Sequence, residues 1–230
     1  LAGSDPAKDQ SYFLWQIRKE QLPHILFPVG GMKKSEVRQL AKKLGLPTAE
    51  KKDSQGLCFV GKVDMKEFLS NYITPRKGKI LDERGRVVGE HNGAFFYTVG
   101  ERVAVSLRLN LKSGERFNLK KPHYVITKDI KKNTLTVWHK SPSGSLPQGR
   151  REVVIKDCNW LIKPELGKTY LARVRYRQPL QSCKLKVESS KVVFDKAQTV
   201  AAGQSLVLYL PRGRSRGVAE VMLGGGIIAD

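Results

Sequence analysis

Asp53-Ser54-Gln55-Gly56-Leu57-Cys58-Phe59-Val60-Gly61 follows directly on Lys51 and Lys52, close to where helical spacing gives way to strands. Gly56 and Gly61 bracket the thiol with backbone freedom, which suits a bend or open loop better than a packed helix. The two lysines favour thiolate over thiol, and the thiolate is the nucleophilic form. Free cysteine is also among the most buried residue types. On spacing alone, Cys58 therefore reads either as a reactive loop thiol or as inert filler.

Upstream, the apolar spacing predicts helices. Asp9 is placed to cap one that carries Tyr12, Phe13, Trp15 and Ile17 and runs to Pro23. A second starts near Ser35, with Val37, Leu40, Ala41 and Leu44 as its apolar stripe and Gly45 and Pro47 as its stop signal. Asp64 with Glu67 resembles a capping box and opens a short helix through Phe68, Leu69 and Tyr72.

After Pro75 the pattern turns to strands. Residues 79–81 and 86–88 flank Asp82-Glu83-Arg84-Gly85, a hairpin signal. Further strands are expected over 103–105, 124–126 and 135–138, followed by a Ser/Pro/Gly linker over 141–147. Beyond it, short strands centred near 153–155, 170–175, 183–187, 192–194, 206–210 and 219–223 predict a small antiparallel barrel or sandwich.

The 230 residues suit one large domain or two to three small ones, with 40% apolar residues and 27% charged. No apolar run approaches the ~18 residues needed to span a bilayer, and no secretory signal is visible. Lys and Arg number 42 against 21 Asp and Glu, a net charge of +21. Such an excess points to a polyanion, with nucleic acid ahead of an acidic membrane, while plain solubility is the blander reading. The three cysteines (58, 158 and 183) form no C-x-x-C pair, which argues against zinc and for a reducing, cytoplasmic setting. No metal site is expected, and the four histidines read as surface or packing residues.

Basic residues cluster in three places. Arg173, Arg175 and Arg177 alternate on one predicted strand, about 7 Å apart, as a rail for phosphates or as a solvated edge face. Leu171 and Val174 break that parity, so a twist or bulge is expected there. Arg212, Arg214 and Arg216 lie in a glycine-rich arm suited to backbone contact with nucleic acid. Lys8-Asp9-Gln10 stand where a helix begins, suited either to phosphate or to an ordinary Asp cap. Gly224-Gly225-Gly226 lacks the following lysine of a phosphate loop and reads as close strand packing. Cys158 and Cys183 read as packing residues.

The cysteine stretch, written D-S-x-G-[IL]-C-F-[IV]-G, resembles the segment around the second active cysteine of the bacterial tRNA-specific 2-thiouridylases. Other stretches resemble the same family in the same order. They are Lys8-Asp9-Gln10-Ser11-Tyr12-Phe13-Leu14, Leu26-Phe27-Pro28-Val29-Gly30, Tyr97-Thr98-Val99-Gly100, Arg175-Tyr176-Arg177-Gln178, Gly203-Gln204-Ser205 and residues 223–228.

The resemblance implies an α/β remnant of an ATP-pyrophosphatase-type catalytic domain over residues 1–62. It implies a mostly-β central domain over 63–141 and a C-terminal antiparallel β-barrel, tRNA-binding, over 142–230. The implied activity is sulfur transfer from a cysteine persulfide on Cys58 to C2 of the ATP-activated wobble uridine of tRNA. A disulfide with the family's first cysteine forms in one version of that route. Lys8, Asp9, Gln10, Arg175, Tyr176 and Gln204 match tRNA-contacting positions. The implied partners are tRNA, not DNA, and a sulfur-carrier protein as persulfide donor. ATP with Mg is expected to sit on a part of the family's domain upstream of Leu1, because no S-G-G-x-D-S loop and no first cysteine occur here.

The sequence departs from the family at Glu101-Arg102-Val103-Ala104-Val105-Ser106, where Gln-Arg with nearby glycines is usual, and at His123, where an aromatic is common. The 212–216 arm is longer than its family counterpart. Two rivals stay open: a non-catalytic tRNA- or RNA-binding module of the same fold, and a translation-associated barrel protein.

Overall fold

The computed structural model describes residues 1–53, 64–103, 122–139, 149–186, 190–211 and 220–229. Cys58, the expected strand over 104–105, the linker over 141–147 and the arginines at 212, 214 and 216 lie outside the described residues. The chain divides into two units, Leu1–Lys52 with Arg150–Asp230, and Asp53–Gly149.

In the first unit, α1 (Lys34–Lys43) starts and stops where the spacing predicts. Asp5 Oδ2 accepts the Lys34 N–H, Glu36 accepts the Lys33 N–H, and Gly45 closes the helix at φ 64°. No residue of α1 is buried, so its expected apolar stripe makes no core. The long helix expected from Tyr12 to Pro23 does not form. Two 3-10 turns, Ser11–Phe13 and Lys19–His24, stand in its place. Helical propensity loses there to tertiary contacts that Tyr12 and Trp15 make together, described below.

The second unit carries α2 (Met65–Ser70), β1 (Gly78–Leu81), β2 (Val87–His91), β3 (Arg102–Val103), β4 (His123–Asp129) and β5 (Thr134–Trp138). Asp64 caps α2 by accepting from the Lys66 and Glu67 N–H groups. The strands form one sheet in the order β2-β1-β5-β4-β3, with β1 and β5 parallel and the other pairs antiparallel. Ile80, Val88, Val103, Val125, Leu135 and Val137 fill its core. The 82–85 turn closes β1 onto β2, with Gly85 at φ 77°. Burial pushes the Asp82 carboxyl up, but bonds from Arg86 Nε, Arg86 N–H and Arg84 N–H outweigh it and hold Asp82 below the usual range.

The first unit resumes with β6 (Arg150–Trp160), β7 (Thr169–Arg173), β8 (Gln181–Lys186), β9 (Lys191–Gln198), β10 (Ser205–Leu210) and β11 (Val221–Ile228). They close an antiparallel barrel in the order β10-β11-β6-β9-β8-β7. Val153, Ile155, Tyr170, Cys183, Leu185, Phe194, Leu206, Leu208 and Leu223 fill its interior. Gly224, Gly225 and Gly226 lie within β11, where a Cβ would meet Trp160, Leu206 and Cys158 in turn. Their role is therefore close strand approach, as the sequence implies. Cys183 is a core residue, whereas Cys158 is exposed, contrary to the packing role expected of it. Among the described residues, no helix is long and apolar enough to cross a membrane.

Candidate nucleic-acid interface

The run Leu206-Val207-Leu208-Tyr209 in β10 is buried at every residue. In a strand, that requires cover on both faces. Leu206 and Leu208 point into the barrel. Val207 and Tyr209 lie in a second cluster with Tyr12, Trp15 and Met222. The chain's first 17 residues thus cover this outer face of the barrel. Tyr12 donates to the Ser205 carbonyl at 2.7 Å, and Trp15 Nε1 donates to Ser205 Oγ at 3.0 Å. Asn159 fastens the end of the segment, donating to the carbonyls of Trp15 at 2.7 Å and Ile17 at 2.9 Å.

Asp9 is the polar anchor. Its carboxylate is 3% exposed and accepts from Gly3 N–H, Ser11 N–H, Ser11 Oγ and Arg173 Nη1. Tyr209 Oη lies 3.2 Å from the same Ser11 hydroxyl, and the Arg173 guanidinium sits over the Tyr209 ring. Asp9 therefore points inward and braces the Lys8-Asp9-Gln10 stretch, while Lys8 and Gln10 are exposed. Only the three-residue 3-10 turn Ser11–Phe13 starts there, too short to offer phosphate a helix N-terminus.

The arginine rail also fails, for a local reason. β7 ends at Arg173, and the chain turns over Val174–Arg177, with Arg177 at φ 62°. Gln178 staples that turn. Its Oε1 accepts the Val174 N–H at 3.0 Å, and its Nε2 donates to Gln198 at 2.9 Å. Arg173 turns to Asp9, Arg175 is half-buried near Tyr12, and Arg177 is exposed over the Tyr176 ring. The three arginines thus meet three different partners and do not form one alternating row.

Tyr176 closes the gap between the two stretches. Its ring lies 4.7 Å from Phe13 and 6.5 Å from Tyr12. Gln204 stands beside Ser205 at the start of β10, in the turn where Gly203 takes φ 81°. Its side-chain oxygen is buried and has no hydrogen-bond partner among the described residues. Leaving a buried acceptor unpaired costs about 1–3 kcal/mol, so this oxygen is suited to a donor from a bound molecule.

Burial sets the titration behaviour. It pushes the Tyr12 phenol up to about 12, with Tyr209 adding to the shift and Arg175 opposing it. Burial also raises Tyr209, and it lowers Arg175, which Tyr12 partly offsets. Arg175 stays cationic across any physiological range, because a guanidinium starts above about 12. The surface therefore combines fixed positive charge, aromatic rings and an unused acceptor. That is the composition used to hold single-stranded nucleic acid.

Lys8, Asp9, Gln10, Arg175, Tyr176 and Gln204 all lie on the first unit, and the stretches that carry them meet at Tyr12, Tyr176 and Ser205. Cys58 lies outside the described residues, so its surroundings are not part of this geometry. Sequence reasoning missed Ser11, Asn159, Gln178 and Tyr209 as the residues that hold the surface in shape. One signal was available for Tyr209: an unbroken apolar run in an antiparallel strand announces a covered outer face. Among the described residues no group of His, Cys, Asp and Glu is placed to hold a metal ion.

Residues 1–62 match a family model described as the tRNA methyl transferase HUP domain. Residues 66–139 match the tRNA methyl transferase PRC-barrel domain, and residues 150–228 match the aminomethyltransferase beta-barrel domain. Among curated proteins, the chain is similar to the tRNA-specific 2-thiouridylase MnmA of Buchnera aphidicola, 39% identical over 234 residues, covering 99% of this chain and 60% of that protein. It is 40% identical over 237 residues to the protein of that name from Verminephrobacter eiseniae, covering 100% of this chain and 61% of the relative. The Xanthomonas axonopodis counterpart is 39% identical over 235 residues, 100% of this chain and 58% of the relative. The chain thus spans about three fifths of the length of these curated relatives.

Proposed function

The chain belongs to the tRNA-specific 2-thiouridylase family, and on that premise we propose that it holds tRNA on the first unit and carries sulfur on Cys58 for transfer to C2 of the wobble uridine. The observation that carries the first half is the meeting of residues 8–13, 173–178 and 204–205 on one barrel face, with charge, rings and a free acceptor together.

In this reading Lys8 and Arg175 hold phosphates, Gln10 and Gln204 hydrogen-bond to the nucleotide, and Tyr176 packs against it. Asp9 shapes the surface from beneath. The three-region division into 1–62, 63–141 and 142–230 is part of the same proposal, with the last region and the start of the first sharing the tRNA.

Cys58 receives sulfur as a persulfide from a sulfur-carrier protein, and a reducing cytoplasm keeps it available. ATP with Mg would supply activation of the uridine C2 oxygen as a leaving group. The sequence has no Ser-Gly-Gly-x-Asp-Ser loop, and among the described residues no group is placed to hold a metal ion, so no step is drawn through either.

The test is a binding and labelling experiment on the whole chain. Cys58→Ser should keep tRNA affinity and lose the protein-bound persulfide formed with a persulfide donor, whereas Arg175→Glu should weaken tRNA and keep the persulfide. A wild-type chain that binds tRNA and takes up no sulfur at Cys58 would favour a tRNA-binding module without the chemistry.

A further inference from the structure

Phe13 is an apolar ring left 56% exposed beside the basic stretch Arg175–Arg177, to which Tyr176 joins it. Its neighbours Ser11 and Tyr12 are buried, and its own N–H donates to the Gln10 carbonyl at 2.9 Å, so the turn fixes the ring outward. Tyr12 meets it edge-on at 5.4 Å and 83°, and Tyr176 lies against it at 4.7 Å and 48°. These rings keep Phe13 from folding back while leaving more than half of it open. Arg177 is exposed and its guanidinium lies 5.3 Å from the centre of the Tyr176 ring, so the cluster carries positive charge on its Tyr176 side. The net charge of +21 makes an anionic polymer the fitting occupant rather than a second basic surface of this kind.

We propose that Phe13, backed by Tyr176, is the platform on which one unpaired nucleobase of the RNA stacks, with Arg177 beside it for the adjoining phosphate. This deepens the tRNA reading above and rests on it. Phe13 has no hydrogen-bonding group, so the platform recognises that a base is free to stack and not which base it is. A paired base within an A-form stem already has its faces covered and is refused, which directs the chain to a loop.

The experiment measures affinity of the whole chain for a tRNA anticodon stem-loop and for a fully paired RNA of equal phosphate number. Phe13→Leu keeps apolar bulk and removes the ring face; Phe13→Trp enlarges it. Phe13→Leu is expected to weaken the stem-loop about tenfold and the duplex by less than about twofold, with an unchanged salt slope, and Phe13→Trp to restore binding. An abasic scan of the loop should find one position whose loss weakens the wild type about as much and the Phe13→Leu chain hardly at all. Equal stem-loop affinity for wild type and Phe13→Leu, or identical abasic penalties in both, overturns the platform; that is also the outcome if a protein surface covers Phe13. A wild-type chain with no affinity for either RNA overturns the tRNA reading itself, and the platform with it.

Discussion

Arg173 at the end of β7 and Asp9 near the chain's start meet with Nη1 and Oδ2 3.3 Å apart, and their side chains are only 13% and 3% exposed. The pair joins the start of the chain to the barrel, across a separation that no local pattern records. Its carboxylate end is saturated by three further donors from Gly3 and Ser11. Such a pair fixes geometry more than it adds stability, because desolvation offsets much of the attraction.

Removing one partner exposes that balance. Arg173→Met leaves the Asp9 carboxylate buried without its cation and should cost about 3–5 kcal/mol in urea unfolding. Asp9→Asn combined with Arg173→Met should recover a large part of the loss, since no uncompensated charge then remains. A double variant as unstable as Arg173→Met alone would refute the brace.

Asn159 supplies the other fastening, with two donors to the Trp15 and Ile17 carbonyls. Asn159→Ala should cost about 1–3 kcal/mol and raise amide exchange over residues 14–17 before the barrel strands respond. Hydrogen exchange read by mass spectrometry checks this; uniform loss of protection across β6–β11 would contradict it.

The glycines separate two kinds of constraint. Gly85 at φ 77° faces open space, so Gly85→Ala should cost only the backbone strain, about 1 kcal/mol. Gly224 at φ 139° has no such freedom. A Cβ there lies 2.9 Å from the Trp160 Cα and against the Asn159 carbonyl. Gly224→Ala should cost several-fold more than Gly85→Ala and, by shifting Asn159, loosen the Trp15–Ile17 fastening as well. Thermal unfolding of the two variants decides the order.

His91 gives the second unit a pH dependence. Burial lowers its pKa below 6.5, and bonds to its ring only partly oppose that. Its Nδ1 accepts the Gly93 N–H at 2.9 Å, which leaves Nε2 carrying the proton in the neutral ring. The unfolded chain takes up a proton first, so this contribution is whole above about pH 6.5 and is lost as pH falls through the lowered native value. The melting temperature should therefore drop between pH 7.5 and 5.5. His91→Gln should flatten that drop, and a variant with the wild-type slope would count against the assignment.

Most of the barrel was legible, because period-two burial in short strands is a local property: β8, with Cys183 and Leu185 inward and Lys184 and Lys186 outward, shows it. The caps at Asp64 and Gly45 were legible for the same reason. The closure order was not, since which strands become neighbours depends on contacts far apart in sequence. The predicted helix through Tyr12 and Trp15 failed because Ser205 captures both side chains, and the arginine row failed because Gln178 folds the chain back just after Arg173. Within the candidate site, residue types were readable and roles were not. Asp9 matches a tRNA-contacting position through resemblance alone, and no local pattern records that it also braces the surface from beneath through Gly3, Ser11 and Arg173.

The central claim is that residues from opposite ends of the chain form one RNA surface. The most direct measurement is photo-crosslinking of the whole chain to a tRNA anticodon stem-loop carrying 4-thiouridine, with the attachment sites mapped by mass spectrometry. The account predicts attachment within residues 8–13 and 175–177, and none on the β8–β9 face that carries Lys184, Lys186 and Lys191. Attachment on β8 and β9, or spread evenly over the lysines of the barrel, would contradict it.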